Sequence, residues 1–156
     1  MIRPLLRMER PTDGIGRPPP HGFRIDRYER SSHHAAIPNL YAAAFGKDPW
    51  PDDWDVFDEF DPHGVMVAVE DATCSAVGFA ISFKRSDFGY VSVVAVAPAY
   101  RRRGLASALV GSAAAYLRSL GLRLVRIDAW EDSPPAVLTY ERLGFLIYDR
   151  RDEVDD

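Results

Sequence analysis

Three consecutive arginines and a glycine form the part of the chain best suited to bind an anion. Arg101, Arg102 and Arg103 precede Gly104, and the small Ala106 lies two residues further on. Guanidinium groups bind phosphate oxygens through paired N–H donors. Glycine has no Cβ, so an anion can approach its backbone closely. These residue types predict a phosphate site in this turn, although a basic turn that merely caps a helix would look similar.

The sequence on either side of the turn predicts the elements that would position it. Residues 91–97 form an almost unbroken apolar run, typical of a strand buried on both faces, and Pro98 ends it. Apolar residues then recur at helical spacing until Gly121. A helix that begins near Gly104 would direct its unpaired N–H groups and its positive dipole end at the anion.

Two stretches resemble the signatures of one enzyme family. They are Val94-Ala95-Val96-Ala97-Pro98 followed by Arg101-Arg102-Arg103-Gly104-Leu105-Ala106, and Tyr140-Glu141-Arg142-Leu143-Gly144-Phe145. The first resembles the acyl-CoA-binding motif Gln/Arg-x-x-Gly-x-Gly/Ala of the GNAT superfamily of N-acyltransferases, and the second resembles its Tyr-x-x-x-Gly-Phe motif. The resemblance extends in order over residues 23–148.

This resemblance implies an α+β fold whose mixed, mostly antiparallel sheet is splayed at its centre and carries helices on both faces. It also implies an acetyl-CoA-dependent N-acetyltransferase, in which a primary amine attacks the thioester directly within a ternary complex. The amides of the turn would hold the CoA pyrophosphate, and the backbone N–H of Val94 would face the thioester carbonyl. The residues implied in acetyl-CoA binding are Val94, Ala95, Val96, Arg101, Arg102, Arg103, Gly104, Leu105 and Ala106.

Such a transfer needs a base for the ammonium proton and an acid for the departing thiolate. Tyr140 matches the family tyrosine near the CoA sulfur, and an uncharged phenol can protonate or solvate a thiolate; ordinary core packing is the alternative. Tyr90 stands where many members carry a glutamate base. By resemblance to another branch of the family, the base is Asp128. Glu131 is an alternative base, and a surface salt bridge to a nearby arginine is an alternative role for Asp128.

Residues 47–63 interleave carboxylates with aromatic rings. Aromatic walls with carboxylates suit a cationic amine through charge attraction and cation–π contact. We therefore expect Trp50, Asp53 and Trp54 to contact the acceptor, which is a small cationic amine or a protein or peptide amino group. The alternative is a short amphipathic helix that buries its aromatic rings and leaves its acids in solvent.

The two ends of the chain differ in composition from its middle. Residues 1–21 are rich in arginine and proline and predict a flexible extension, whereas 22–150 would form the acetyltransferase domain and 151–156 an acidic tail. The resemblance implies a further hairpin strand after Tyr148, which the chain does not provide. The predicted sheet therefore has an exposed edge, which a homodimer would cover.

Composition argues against several other classes of protein. The net charge of −4 gives no reason to expect a nucleic-acid partner. A single cysteine excludes an internal disulfide, and the four histidines lack zinc-ligand spacing, so we expect no metal. No apolar run is long enough to cross a membrane and no signal peptide is evident, so we expect a cytoplasmic protein without a membrane partner.

Two other functions are compatible with the same residues. The first is a regulatory or interaction module that binds CoA without turnover, which the tyrosine at position 90 would permit. The second is a phosphate or nucleotide binder that uses the same helix end. Steady release of CoASH with an amine would exclude the first, and selective thermal stabilisation by acetyl-CoA would exclude the second.

Overall fold

The computed structural model describes residues 1–155. Over this range seven strands form one sheet in the order β2-β3-β4-β5-β6-β1-β7. The strands are β1 (Ile2–Pro11), β2 (Phe23–Arg27), β3 (Val65–Glu70), β4 (Ser75–Arg85), β5 (Phe88–Val96), β6 (Leu124–Trp130) and β7 (Leu146–Val154). The helices are α1 (Arg30–His33), α2 (Ile37–Phe45), α3 (Leu105–Ser119) and α4 (Pro134–Arg142).

Helices pack on both faces of this sheet, because alternate residues of its central strands are apolar on each side. One core lies under α3 and includes Met8, Leu109 and Val125. The other lies under α2 and includes Val67 and Phe79. Neighbouring strands run antiparallel except β5 and β6, which are parallel. The α+β architecture with a mostly antiparallel sheet is therefore confirmed.

The sheet opens between β5 and β6. Their ladder contains only the pairs Gly89↔Val125, Tyr90↔Arg126 and Val91↔Ile127, although β5 continues to Val96. On the other side of β5, the register with β4 shifts between Ile81 and Ser82. Such a bulge bends a strand and increases its twist, which turns the end of β5 away from β6. The predicted central splay is confirmed, and one backbone edge of β5 beyond Val91 is left without a strand partner.

The expectation of a flexible extension over residues 1–21 is wrong. Strand β1 lies inside the sheet, antiparallel to β6 on one side and to β7 on the other. Leu6 and Met8 point into the α3-side core and are buried, and Ile15 packs there as well. Prolines fit this strand because Pro4 lies beyond the β1–β6 ladder and Pro11 lies at its end, where a missing N–H matters least.

The C-terminal expectations also change. Strand β7 runs to Val154, so residues 151–154 of the predicted acidic tail are paired with β1 in the sheet. Asp156, the last residue of that tail, lies outside the described residues. Strand β1 occupies the place between β6 and β7 that the expected hairpin strand would fill, so the sheet is not incomplete there. The outer edge of β7 is still an edge of the sheet. A homodimer across this edge stays a prediction.

Truncating Met8 tests whether β1 is part of the folded domain. Met8 has no exposed surface. Met8→Ala should lower the free energy of unfolding by about 2–5 kcal/mol, because it removes buried contacts and leaves a cavity. Urea unfolding followed by circular dichroism measures the change. Ile2→Ala is the matched control, since Ile2 in the same strand is 69% exposed and its truncation should cost less than about 0.5 kcal/mol. Equal effects of the two changes would contradict this placement of β1.

Candidate active site

The turn between β5 and α3 presents an open backbone. Gly104 has a φ of 88°, a left-handed conformation that favours glycine, and a Cβ added there would meet no atom within 4 Å. The first bond of α3 runs from the N–H of Ala108 to the carbonyl of Gly104. The N–H groups of Leu105 and Ala106 donate to no acceptor within residues 1–155. These features fit the diphosphate of CoA, which needs close backbone approach and several free donors.

The three arginines of the turn differ in what they contact. Arg101 donates to the carbonyl oxygens of Ala44 at 2.6 Å and Val96 at 3.3 Å, so it ties the end of α2 to the end of β5. Arg103 lies over the ring of Tyr100 at 5.3 Å. All three arginines are exposed, and none makes a salt bridge within the described part of the chain. Arg102 and Arg103 are the members of the triplet whose guanidinium N–H groups are not already bonded to a backbone carbonyl.

The strand that leads into this turn borders the splay. Val94 is half-buried and pairs with Ala80 of β4, whereas Ala95 and Val96 are buried. Because the β5–β6 ladder has ended, the free edge of β5 can pair with an extended ligand in place of a strand. A pantetheine arm with two amides is such a ligand, so this geometry fits the predicted role of residues 94–96.

The predicted base lies where the two strands part. Asp128 follows Ile127, the last β6 residue paired with β5. Its Oδ2 accepts a hydrogen bond of 2.6 Å from the hydroxyl of Tyr90, and its Oδ1 accepts one of 3.4 Å from Nε of Arg7. The alternative base, Glu131, instead forms two hydrogen bonds of 2.8 and 3.0 Å with Arg150 at the surface. Asp128 is therefore the better placed of the two carboxylates.

Sequence reasoning missed Arg7 as a neighbour of this site. Arg7 lies in β1 directly opposite Asp128 in the β1–β6 register. The available signal was the alternation of Leu6 and Met8 around it, which is typical of a half-buried strand. It was masked by the surrounding prolines and arginines, and no local pattern indicates that β1 pairs with a strand so distant in sequence.

Tyr140 lies in α4 with its ring packed edge-on against Phe145, at 6.1 Å between ring centroids. Burial raises the pKa of its phenol well above the usual range. Its hydroxyl has no hydrogen-bond partner in residues 1–155. Every fully buried side-chain nitrogen or oxygen in that range does have a partner. The Tyr140 oxygen is therefore not fully buried and keeps a small accessible area. A neutral phenol with a free O–H matches the predicted donor to a thiolate.

The predicted acceptor segment does not form the short amphipathic helix of the alternative interpretation. Residues 52–55 and 58–59 form turns within an otherwise irregular stretch, and the only helical element in residues 47–64 is a 3₁₀ turn at Pro62–Gly64. Trp54 is buried and stacks on His34 at 5.1 Å, Trp50 stacks on Tyr41 at 4.1 Å, and Asp53 is exposed. The tryptophans pack in the α2-side core, as the alternative interpretation expected of the aromatic rings, but they do so from turns and irregular chain and not from a helix.

Another aromatic residue of the same segment lies closer to the base. The ring centroid of Phe57 lies 5.8 Å from that of Phe83, and the Phe83 centroid lies 5.8 Å from that of Tyr90. The Tyr90 hydroxyl in turn bonds Asp128. Phe57 is 38% exposed. A partly exposed ring that connects to the base through two other rings is a better candidate wall for the acceptor than either tryptophan.

No group of three or more His, Cys, Asp or Glu side chains in residues 1–155 is arranged to hold a metal ion. No helix in the same range combines the length and the apolar character needed to cross a bilayer.

The chain is similar to known acetyltransferases in sequence. The acetyltransferase (GNAT) family model matches residues 33–145. The mycothiol acetyltransferase of Rhodococcus erythropolis is 32% identical over an alignment of 162 residues, gaps included, that covers 92% of this chain and 54% of that protein. That of Thermobispora bispora is 33% identical over an alignment of 158 residues that also covers 92% of this chain and 54% of the relative. The chain thus spans about half the length of the curated relatives it matches.

Solved structures show the same fold. The GCN5-related N-acetyltransferase from Sphaerobacter thermophilus superposes with a TM-score of 0.77 at 23% identity, covering 96% of this chain and 50% of that one. Ard1 from Thermoplasma volcanium superposes with a TM-score of 0.71 at 20% identity, covering 86% of this chain and 99% of that one. The family model over residues 33–145 and the sequence relatives show, and the shared fold agrees, that this chain belongs to the GNAT acetyltransferase family.

Proposed function

We propose that this protein transfers the acetyl group of acetyl-CoA to a primary amine by direct attack within a ternary complex. The observation that supports this most strongly is the splay between β5 and β6, with an open glycine turn at its wide end and Asp128 at its apex. One end can hold a diphosphate and the other can accept a proton. A nucleotide binder would need only the turn, so the carboxylate at the apex favours acetyl transfer.

In the proposed reaction each residue has one task. Arg102, Arg103 and the free amides of the turn hold the diphosphate, and the N–H of Val94 stabilises negative charge on the thioester oxygen. Asp128 takes a proton from the acceptor ammonium, either directly or through a water. The amine nitrogen then forms a bond to the acetyl carbon as the carbon–sulfur bond breaks. Tyr140 gives its phenolic proton to the departing thiolate, and the second proton lost by the nitrogen as it becomes an amide restores the phenol. The products are the amide and CoASH, with one proton left on Asp128 for release to solvent.

The acceptor class we propose is a small cationic amine or a protein or peptide amino group. The exposed Asp53 and the other carboxylates of residues 48–61 attract cations, although the buried Trp54 offers no open face. Two relatives are named mycothiol acetyltransferases, so a mycothiol-related amine belongs among the acceptors to be tested.

Release of CoASH over a panel of amines tests the proposal. The panel should contain diamines, an aminoglycoside, amino acids, a mycothiol-related amine and peptides with a free N-terminus, each measured against hydrolysis without amine. Amine-dependent release, with mass-spectrometric detection of the acetylated product, would support the proposal. Tight acetyl-CoA binding without turnover across the panel would favour a non-catalytic CoA-binding module. Stabilisation by ATP or NAD equal to that by acetyl-CoA would contradict both interpretations.

Tyr140→Phe tests the donor to the sulfur. The hydroxyl has no partner in the described residues and phenylalanine keeps the packing against Phe145, so the fold should be unaffected. We expect kcat to fall about tenfold to a hundredfold, because the thiolate loses its hydrogen-bond donor while acetyl-CoA binding is retained. Steady-state rates and isothermal titration calorimetry measure the two quantities. Tyr41→Phe, which changes a tyrosine outside the site, is the control; equal rates in the wild type and Tyr140→Phe would remove the proposed role.

A further inference from the structure

Asp128 is held by donors from two different neighbouring strands. Tyr90, from β5, bonds Oδ2 at 2.6 Å, and Arg7, from β1, bonds Oδ1 at 3.4 Å. Only 17% of the Asp128 side chain is exposed. With each oxygen bonded to a different strand, rotation of the carboxylate about its terminal bond would break a hydrogen bond. Its orientation is therefore fixed relative to the splay.

Both donors remain donors over the working pH range. Burial, followed by the hydrogen bond to Asp128, raises the pKa of Tyr90 well above the usual range for a phenol, so its proton is retained. A guanidinium carries only donors, so Arg7 likewise donates to Asp128. Each oxygen of the carboxylate therefore accepts one hydrogen bond from a fixed partner. The two donors together set the direction in which the remaining lone pairs of Asp128 can accept a proton.

The other charged and titratable groups around Asp128 are largely paired with one another. The guanidinium of Arg85 lies over the Tyr90 ring at 4.4 Å and bonds Glu59 at 2.8 Å. Arg126, on the same strand as Asp128, bonds Glu9 at 3.0 Å and lies over the ring of Tyr148. Neither arginine makes a hydrogen bond to Asp128 within the described residues. The direct donors to this carboxylate there are Tyr90 and Arg7.

We propose that Tyr90 and Arg7 are positioning residues that hold Asp128 ready to accept the acceptor's proton, and that strand β1 thereby completes the active site. The inference rests on the proposed function, in which Asp128 is the base. It gives the tyrosine at the position of the common family glutamate a role of its own, since it orients a base on the adjacent strand.

The pH dependence of kcat/KM for Tyr90→Phe and Arg7→Met tests the proposal. Each substitution takes one hydrogen bond from the ionised carboxylate. We therefore expect the acid limb of the kcat/KM profile to move to higher pH in these variants. We expect a shift of about one pH unit for Tyr90→Phe and a smaller one for Arg7→Met, whose hydrogen bond is longer. Arg7→Lys, which keeps the charge, should recover part of the shift. Carbon-13 NMR of the Asp128 carboxyl in protein without acceptor should show the same order of midpoints.

Tyr148→Phe is the matched control. It removes a hydroxyl from the same face of the sheet, next to Arg7 and Arg126, but that hydroxyl makes no hydrogen bond to Asp128. Shifts in Tyr90→Phe and Arg7→Met but not in Tyr148→Phe would support the proposal. Turnover with an unmoved limb and an unmoved carbon signal would overturn it and leave the proposed function intact. If no amine is acetylated by the wild type, the proposed function fails, and the NMR titration alone decides whether the two donors hold the carboxylate.

Discussion

Gly104→Glu is expected to abolish acetyl-CoA binding while the protein stays folded. A Cβ added at this position would meet no atom within 4 Å, so a longer side chain is not blocked at its base, and we expect it to extend in front of the free amides of α3. There a carboxylate would occupy the diphosphate position and repel its charge. Placing two negative charges next to each other at a binding site costs several kcal/mol. The affinity for acetyl-CoA should therefore fall by at least about a hundredfold. Calorimetry with acetyl-CoA, and the loss of its thermal stabilisation, measure the effect.

Gly121→Glu is a close control for this change. Gly121 follows the other end of α3 and has a φ of 84°, and a Cβ added there would likewise meet no atom within 4 Å. The backbone cost of a non-glycine residue in the left-handed region, about 1–2 kcal/mol, is therefore similar in both variants. Acetyl-CoA should stabilise Gly121→Glu as it does the wild type. Retained affinity in Gly104→Glu would contradict the assignment of the diphosphate to this turn.

Asp128→Asn should lower kcat/KM by about a hundredfold to ten-thousandfold, the range that general-base catalysis supplies. Asparagine is nearly isosteric and can still accept the hydrogen bond from Tyr90, so the splay and acetyl-CoA affinity should be preserved. The remaining activity should rise with pH as the free acceptor amine becomes more abundant, because no protein base assists the proton transfer.

The pH profile with one acceptor and calorimetry with acetyl-CoA measure these expectations for Asp128→Asn. Asp71→Asn is the matched control. Asp71 is exposed in the turn between β3 and β4 and pairs with Arg24 of β2. It should keep wild-type kinetics. A profile for Asp128→Asn that coincides with the wild type would reassign the base, and Glu131 would be the next residue to change.

The parts of the site that were predictable from sequence are those with local causes. The strand, turn and helix around Gly104 are contiguous, so periodicity, a proline stop and a glycine are enough to place them. The central splay and the positions of Asp128 and Tyr140 followed from family resemblance, because spacing alone does not say which strand neighbours which. Their chemical roles stay predictions.

What was missed depends on long-range pairing. No pattern near Arg7 indicates that β1 lies between β6 and β7, and its prolines and arginines resemble those of a flexible segment. Trp54 illustrates a different limit. Its aromatic-acidic surroundings suit an amine pocket, but the same composition serves a core packed against α2, and only the fold shows that the ring is buried against His34.

The insertion of β1 between β6 and β7 has a consequence for the order of folding. Arg7 and Asp128 are 121 positions apart in the chain, so the strand pair that contains them can close only after the intervening polypeptide has collapsed. Contacts of such separation slow folding, because the entropy lost in closing a long loop precedes any gain from pairing. The β2–β5 meander and α3 can form first from near neighbours. Catalytic competence should therefore be the last property this molecule acquires when it refolds, appearing only after most of its secondary structure.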